Sequence, residues 1–213
     1  MNSASGLGLP VIPVSGTWNH AATSGYPGRI LRVTPRGVAS AAGYARTRFN
    51  PGNARTPGFE LLYLALDQNT ALLEKQAQFG SPYAQPVTYI PAPRMSRTVV
   101  IDVTVDLQNV IDLTEINAHA ALSTTAQELT GDWIGYEVRG MVSRSPVLTA
   151  PVGEAPTQTL GWELLQEPGV EGLRVISAKD STTCCLVIFT HKLSRPGSLV
   201  WDDPNTKQRE SYP

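Results

Sequence analysis

Short apolar runs recur along the chain and predict a protein that is rich in β-strands. Residues 98–106 alternate apolar and polar side chains over much of their length, as a strand with one buried face does. Residues 28–33 and 59–65 form further strand-like runs. Residues 173–177 and 184–190 are two more, and they are predicted to pair with each other as a hairpin.

Three segments with helical patterns lie between these strands. Residues 70–78 follow Asp67 and Asn69, either of which can cap a helix N-terminus with its side-chain oxygen. Residues 124–129 and 157–166 predict two more helices. Because strands dominate both ends of the chain and no regular βαβ repeat occurs, the pattern favours an α+β fold over a doubly wound nucleotide-binding fold.

The length and the turn-forming residues indicate how the chain is organised. At 213 residues it is long enough for one well-packed domain. Residues 1–28 are rich in Gly, Ser and Pro, which predicts an irregular N-terminal arm before a domain covering residues 29–213. The polar stretch 34–57 predicts a long loop, and loops of that length more often serve a functional site than a scaffold.

The overall charge gives no general attraction to polyanions. Seventeen basic residues oppose eighteen acidic ones, which leaves a formal net charge of -1. Direct binding of nucleic acid or of an anionic membrane is therefore not expected, and a phosphorylated ligand would need locally placed arginines. No apolar run approaches the ~20 residues that cross a bilayer, and no signal-peptide pattern opens the chain, so we expect a cytoplasmic protein.

The cysteines and histidines do not form a metal-binding pattern. Cys184 and Cys185 are adjacent within a predicted strand, where neighbouring side chains point to opposite faces. They are therefore predicted to be small core residues that neither pair with each other nor chelate one metal. His20, His119 and His191 are scattered along the chain. A zinc site is not expected.

Three polar side chains lie inside short apolar stretches, where a charge or a hydroxyl is normally unfavourable. They are Arg32, Glu74 and Ser177. Burying an ion costs several kcal/mol unless it is paired or engaged by a ligand, so an embedded arginine and glutamate predict a pocket between them. For Glu74 the alternative is an exposed charged helix face with Lys75, but its helical phase with Ala71 places it near the apolar side.

Residues 44–52 combine two arginines, an aromatic ring, a side-chain amide and a Pro-Gly turn. Extended backbone would put Arg46 and Arg48 on one face, from which a guanidinium can grip two phosphate oxygens. A solvated basic loop is the alternative interpretation. Tyr63 lies in an apolar strand, where a core aromatic is the simpler interpretation and a hydroxyl that positions a sugar is the other.

Together these segments resemble the RES domain, a family named for an arginine, a glutamate and a serine. The resemblance spans roughly residues 29–190. It is carried by the order and spacing of Leu31-Arg32-Val33, Thr47-Arg48-Phe49-Asn50-Pro51, Leu62-Tyr63-Leu64-Ala65, Ala71-Leu72-Leu73-Glu74, residues 169–178 and residues 185–189. By similarity it implies a single α+β domain related to the ADP-ribosyltransferase fold, with mixed sheets and flanking helices. It also implies an NAD+-consuming enzyme that is the toxin half of a RES-Xre toxin-antitoxin module.

The resemblance assigns catalytic roles to Arg32, Glu74 and Ser177. Cleavage of the nicotinamide-ribose bond develops positive charge on the sugar, as glycoside hydrolysis does, and Glu74 would stabilise that charge. Arg32 would hold the pyrophosphate. Ser177 would hydrogen-bond a ribose or phosphate oxygen or the nicotinamide amide, and no neighbouring base marks it as a nucleophile.

The same resemblance implies the substrate-binding residues. The family's arginine-aromatic-asparagine element falls on Arg48, Phe49 and Asn50, and its strand tyrosine falls on Tyr63. Arg48 would hold the pyrophosphate, with Arg46 on the same face of the loop. Phe49 and Tyr63 would line the nicotinamide side.

The acceptor of the ADP-ribosyl group is open at this point. Water gives a glycohydrolase, phosphate a phosphorylase and a protein side chain an ADP-ribosyltransferase, and we favour degradation of free NAD+. NAD+ is the substrate, so neither a separate cofactor nor a metal is expected. The implied partner is an Xre-type antitoxin in a hetero-oligomer, and a homo-oligomer is the other possibility. The competing class is a non-enzymatic nucleotide-binding or interaction module, in which the three name-giving residues form an internal polar network.

Overall fold

The computed structural model describes residues 9–23, 47–52, 56, 58–77, 98–133, 136, 154–203, 207 and 209–213. Its strands are β1 (Val11–Thr23), β2 (Leu62–Ala65), β3 (Thr98–Asp112), β4 (Gly172–Ile176), β5 (Cys184–Ile188), β6 (Leu199–Asp202) and β7 (Arg209–Tyr212). Its helices with described bounds are α1 (Gln68–Ala77), α2 (Ile116–Ala121), α3 (Ala126–Thr130) and α4 (Pro156–Gln166), and a 3-10 turn covers Thr190–Lys192. None of these helices combines the length and apolarity needed to span a membrane.

One mixed sheet contains the seven strands in the order β1-β2-β5-β4-β3-β6-β7. Strand β1 also pairs antiparallel with β3, from Val11 opposite Ile111 to Thr23 opposite Thr98, so five strands form a closed circuit of pairings. Strands β3 and β4 are parallel, whereas β4 and β5 form the predicted antiparallel hairpin. The single mixed sheet with its flanking helices confirms the predicted α+β class.

The N-terminal segment is not the irregular arm that its composition predicted. Residues 11–23 form β1, which is paired along β3. Pro13 lies where the register shifts between Ile12 and Val14, so a residue without an N–H group occupies an irregularity of the ladder. Gly16 has a φ of 118°, which glycine adopts readily. Pairing with β3 therefore overrides a local composition that is typical of loops.

Most other predicted elements within the described residues are confirmed. Strand β2 lies inside the predicted run 59–65, and β3 extends the predicted strand by six residues, from 106 to 112. Helix α1 begins directly after Asp67, whose Oδ1 accepts the N–H of Thr70 at 2.9 Å. This is an N-terminal cap of the predicted kind. The predicted strand 28–33 lies outside the described residues.

Two groups of buried apolar side chains pack on the sheet. The helix-side core includes residues of α1, α3 and α4 together with strand residues, among them Ala71, Leu129, Leu164, Val187 and Cys185. The strand-side core includes strand residues such as Leu64, Val105, Leu186 and Cys184. The two adjacent cysteines thus belong to different cores and both are free, which confirms that they point to opposite faces of β5.

Candidate active site

The carboxylate of Glu74 is held by the loop that follows β4. Its Oε1 accepts a hydrogen bond from Ser177 Oγ at 2.7 Å and another from the backbone N–H of Ala178 at 2.9 Å. Charge-assisted hydrogen bonds of this length are the stronger kind in proteins. Helix α1 is itself anchored through Ala71 in the helix-side core. The Oε1 atom of Glu74 is therefore held in place, and Oε2 takes no part in these two bonds.

Ser177 has no hydrogen-bonding capacity left for a ligand. The side chain is buried, with 1% of the residue exposed. Its hydroxyl donates to Glu74 and accepts the N–H groups of Lys179 at 3.1 Å and Asp180 at 3.2 Å. A hydroxyl offers one donor and two acceptor lone pairs, so all three are used. Ser177 in this arrangement orients the carboxylate and shapes the loop.

The second oxygen of Glu74 faces Arg48. Arg48 Nη2 lies 3.5 Å from Glu74 Oε2, with 13% and 23% of the two side chains exposed. This distance is longer than the ~2.7–2.9 Å of a tight charge-assisted bond. The Nε atom of Arg48 is buried and has no hydrogen-bond partner among the described residues. The guanidinium therefore keeps donors that an anionic ligand could satisfy.

Arg48 belongs to a tight turn whose ends are bonded to each other. The N–H of Thr47 donates to the carbonyl of Asn50 at 3.0 Å, and the reverse bond measures 3.2 Å. The hydroxyl of Tyr63 shares a 2.7 Å hydrogen bond with Thr47 Oγ1 and accepts the N–H of Phe49 at 3.2 Å. Burial raises the pKa of Tyr63 to about 12, so the phenol stays neutral at physiological pH. Tyr63 links the turn to β2.

The remaining side chains of the turn face the protein interior. Phe49 is fully buried in the helix-side core. Asn50 is 1% exposed and its amide forms two bonds with the backbone of Phe59: Nδ2 donates to the carbonyl at 2.6 Å, and Oδ1 accepts the N–H at 3.3 Å. Of the predicted binding residues in this turn, Arg48 presents its charge to Glu74, while Phe49 and Asn50 hold the turn in place.

Comparison with known proteins places the chain in a family. A sequence model of the RES domain matches residues 18–202, most of the chain. The chain belongs to the RES domain family. A chain in the crystal structure of the M. tuberculosis MbcT-MbcA toxin-antitoxin complex is similar in fold, with a TM-score of 0.51 and 21% sequence identity over 94% of this chain and 86% of that one. No curated protein matches the sequence.

Two of the three residues to which the resemblance assigned the family's name-giving side chains, Glu74 and Ser177, are in contact here. Arg32 lies outside the described residues, as does Arg46, so their roles remain predictions. Arg48, predicted as a binding residue, supplies the cation next to the carboxylate. No group of three or more His, Cys, Asp or Glu side chains within the described ranges could hold a metal ion.

Three contributors to this RES domain site were not predicted. The N–H of Ala178 binds Glu74, and Cys185 Sγ lies 3.9 Å from the same oxygen. Burial, together with the charge of Glu74, raises the pKa of Cys185 to about 12, so it stays a neutral thiol.

Gln158 of α4 donates through Nε2 to the carbonyls of Thr47 and Asn50 at 2.9 and 3.4 Å. The sequence feature that could have drawn attention to Gln158 is its position in the first turn of a helix that begins at a proline.

Proposed function

We propose that this RES domain consumes NAD+ by cleaving the bond between nicotinamide and ribose, with water or inorganic phosphate as acceptor. The observation that carries the proposal is the approach of Arg48 to Glu74 at 3.5 Å, from segments remote in sequence, in a partly buried position. One oxygen of the carboxylate is fixed by Ser177 and Ala178. The arrangement offers a cation for a pyrophosphate and an anion for a sugar that becomes positively charged.

The chemistry requires little of the protein beyond positioning and charge. The bond between C1′ of the ribose and the nicotinamide nitrogen breaks, and its electron pair neutralises the cationic leaving group. Positive charge develops on the ribose, and the Oε2 side of Glu74 would stabilise it. An oxygen of water or phosphate then bonds to C1′. Water releases a proton and yields ADP-ribose, whereas phosphate yields a phosphorylated ADP-ribose.

Besides Glu74, four of the predicted site residues have roles in this scheme. Arg48 would bind the pyrophosphate with guanidinium donors that have no partner among the described residues, and Arg32 would do the same from the family pattern. Ser177 would act through Glu74, since its hydroxyl is already satisfied. Tyr63 would act through the turn that carries Arg48. We further propose that the fold is related to that of the ADP-ribosyltransferases.

Membership of the RES family supports a biological role as the toxin of a toxin-antitoxin module. The similar crystal structure is that of a toxin-antitoxin complex, which supports an antitoxin partner for this chain as well. We propose that this partner is an Xre-type protein and that it would restrain NAD+ consumption. Co-expression with the product of the adjacent reading frame, followed by co-purification, would test this partnership.

The enzymatic proposal is tested by incubating the purified protein with NAD+, with and without phosphate, and separating the products. Removing the charge with Glu74→Gln should lower turnover by at least about 100-fold. Glu163→Gln, on the exposed side of α4, is the matched control and should leave turnover unchanged. Unchanged turnover after Glu74→Gln would overturn the assignment. Label transferred from NAD+ to protein would indicate an ADP-ribosyltransferase, and a raised Tm without turnover would indicate a binding module.

A further inference from the structure

Helix α4 packs directly against the backbone of the Arg48 turn. Gly161, in the middle of the helix, approaches so closely that a Cβ atom at this position would lie 2.1 Å from the carbonyl oxygen of Phe49. Real Cβ atoms do not approach backbone oxygen to this distance, so a side chain at residue 161 requires a backbone shift. The helix is thus in direct contact with the backbone of the turn and supports it.

Gln158, one helical turn earlier, bonds both ends of the Arg48 turn. Its Nε2 donates to the carbonyls of Thr47 and Asn50, while its Oε1 accepts the N–H of Ala155 at 3.1 Å. The residue is 5% exposed. Because the amide oxygen faces an N–H group and the amide nitrogen faces two carbonyls, the orientation of the amide is determined by its surroundings. Arg48 is held between the two bonded ends.

We infer that Gln158 is a positioning residue that directs the Arg48 guanidinium toward the substrate pyrophosphate, an inference that rests on the proposed function. Among the residues that the structure describes, the guanidinium of Arg48 forms one polar contact, to Glu74 at 3.5 Å. The point from which that side chain leaves the backbone is fixed by the turn, and Gln158 is hydrogen-bonded to both ends of the turn. Glu74 is held by the loop after β4, and none of the hydrogen bonds of Gln158 involves it.

Gln158 holds the turn of Arg48, whereas the loop after β4 holds Glu74. A change at Gln158 should therefore affect KM and kcat differently. Loss of the Gln158 amide leaves two carbonyl groups of the turn without this partner and lets Arg48 drift, whereas the carboxylate stays in place. Displacement of a substrate-gripping group by about 1 Å can cost up to about 100-fold. Because Arg48 binds a part of NAD+ remote from the reacting bond, the loss should appear as a higher KM with a smaller change in kcat.

The test is Gln158→Met, which keeps the length of the side chain and removes its hydrogen bonds. KM for NAD+ should rise about 10- to 100-fold. Gln166→Met, at an exposed position of the same helix, is the control and should match the parent protein. A second variant, Gln158→Glu, keeps an oxygen for the Ala155 N–H, and its ionised carboxylate cannot donate to the carbonyls, so at a pH where it is ionised it should show the same rise in KM even if the methionine variant folds poorly.

A double-mutant cycle with Arg48→Ala shows whether Gln158 acts through Arg48. If it does, Gln158→Met should have no further effect on KM once Arg48 is absent. An equal effect in both backgrounds, or a parental KM for folded Gln158→Met and Gln158→Glu, would overturn the inference. The proposed function fails separately, and the inference with it, if Arg48→Ala alone leaves NAD+ turnover and KM unchanged.

Discussion

The two charged side chains of the site are held in opposite ways. Glu74 is held at its own carboxylate, where Ser177 and the Ala178 N–H bind Oε1 directly. Arg48 is held through the backbone of its neighbours in the turn, since Gln158 donates to Thr47 and the hydroxyl of Tyr63 accepts the N–H of Phe49. Its guanidinium makes one contact of 3.5 Å to Glu74 and leaves Nε without a partner among the described residues.

This difference matches what each group would have to do. A carboxylate that stabilises charge on one sugar carbon benefits from an orientation set before the substrate arrives, because no energy is then spent on reorganisation during the reaction. A guanidinium that grips a pyrophosphate needs free donors and some freedom to follow the phosphate oxygens. We call Glu74 and the groups that hold it, Ser177 and the Ala178 N–H, the carboxylate arm, and we call the turn of Arg48 with its supports on α4 and β2 the guanidinium arm. Variants of the carboxylate arm should lower kcat. Variants of the guanidinium arm should raise KM or destabilise the turn.

The largest effect is expected for Gly161→Ala on the guanidinium arm. Alanine in place of glycine normally stabilises a helix interior by about 1 kcal/mol. Here the new Cβ would lie 2.1 Å from the carbonyl oxygen of Phe49, so the sign should reverse, with a loss of about 3 kcal/mol of unfolding free energy. Urea denaturation measures this. Glu163→Ala, on the exposed side of the same helix, should stay within about 0.5 kcal/mol of the parent, and a stabilised Gly161→Ala would contradict the close packing.

Ser177→Ala tests the carboxylate arm. It removes a hydrogen bond to an ionised group, worth about 2 kcal/mol, and frees the carboxylate to rotate. We expect kcat to fall about 30-fold with little change in KM. Steady-state kinetics on NAD+ give both constants, and Ser181→Ala, at an exposed position of the same loop, is the control. A raised KM with the parental kcat would instead mean that Ser177 binds the substrate.

Tyr63→Phe weakens the guanidinium arm without changing the shape of the core. The N–H of Phe49 loses its acceptor and Thr47 Oγ1 loses its partner, so unfolding free energy should fall by about 1.5 kcal/mol. Thr47→Val removes one of these two bonds and should cost less. Thermal or urea unfolding measures both variants. Parental stability of Tyr63→Phe, combined with a raised KM, would argue that the hydroxyl contacts the substrate.

The smallest effect concerns Asp67, which caps the helix that carries Glu74. Hydrogen bonds donated by Thr70, first from its N–H and then from its hydroxyl, lower the pKa of Asp67 below its ordinary value of 3.8. Because the folded-state pKa is the lower one, the cap stabilises the protein fully above the unfolded-state pKa. That stabilisation is lost as the pH falls through the folded-state pKa.

Two substitutions separate the cap from its charge. Asp67→Ala should cost about 1 kcal/mol at neutral pH. Asp67→Asn still caps the helix and should cost little at neutral pH, but it should remove the part of the acid destabilisation below about pH 4 that Asp67 causes. Urea midpoints measured at neutral pH and in this acidic range test both expectations. An unchanged pH dependence in Asp67→Asn would show that other carboxylates are responsible.

The elements that the sequence predicted well are those whose own side chains carry the signal. Strand β3 alternates apolar and polar residues, and α1 and α4 combine apolar periodicity with residues that favour helix starts. Strand β1 was mispredicted because its glycine and its proline are typical of loops, and its ladder with β3 is a contact between distant segments. The residues of the candidate site also fall into those that the sequence indicated and one that it did not. Glu74 and Arg48 were noticed as polar residues in informative local settings, whereas Gln158 was not.

The sequence by itself determined the family, the α+β class and the candidate charged residues, because order, spacing and periodicity are properties of the chain. Only the tertiary structure decided what each side chain does. It directs the hydroxyl of Ser177 to a carboxylate 103 residues away and the amide of Gln158 to a carbonyl 111 residues away. A hydrogen bond depends on where two atoms meet in the folded molecule, and local sequence carries almost no information about partners so far apart.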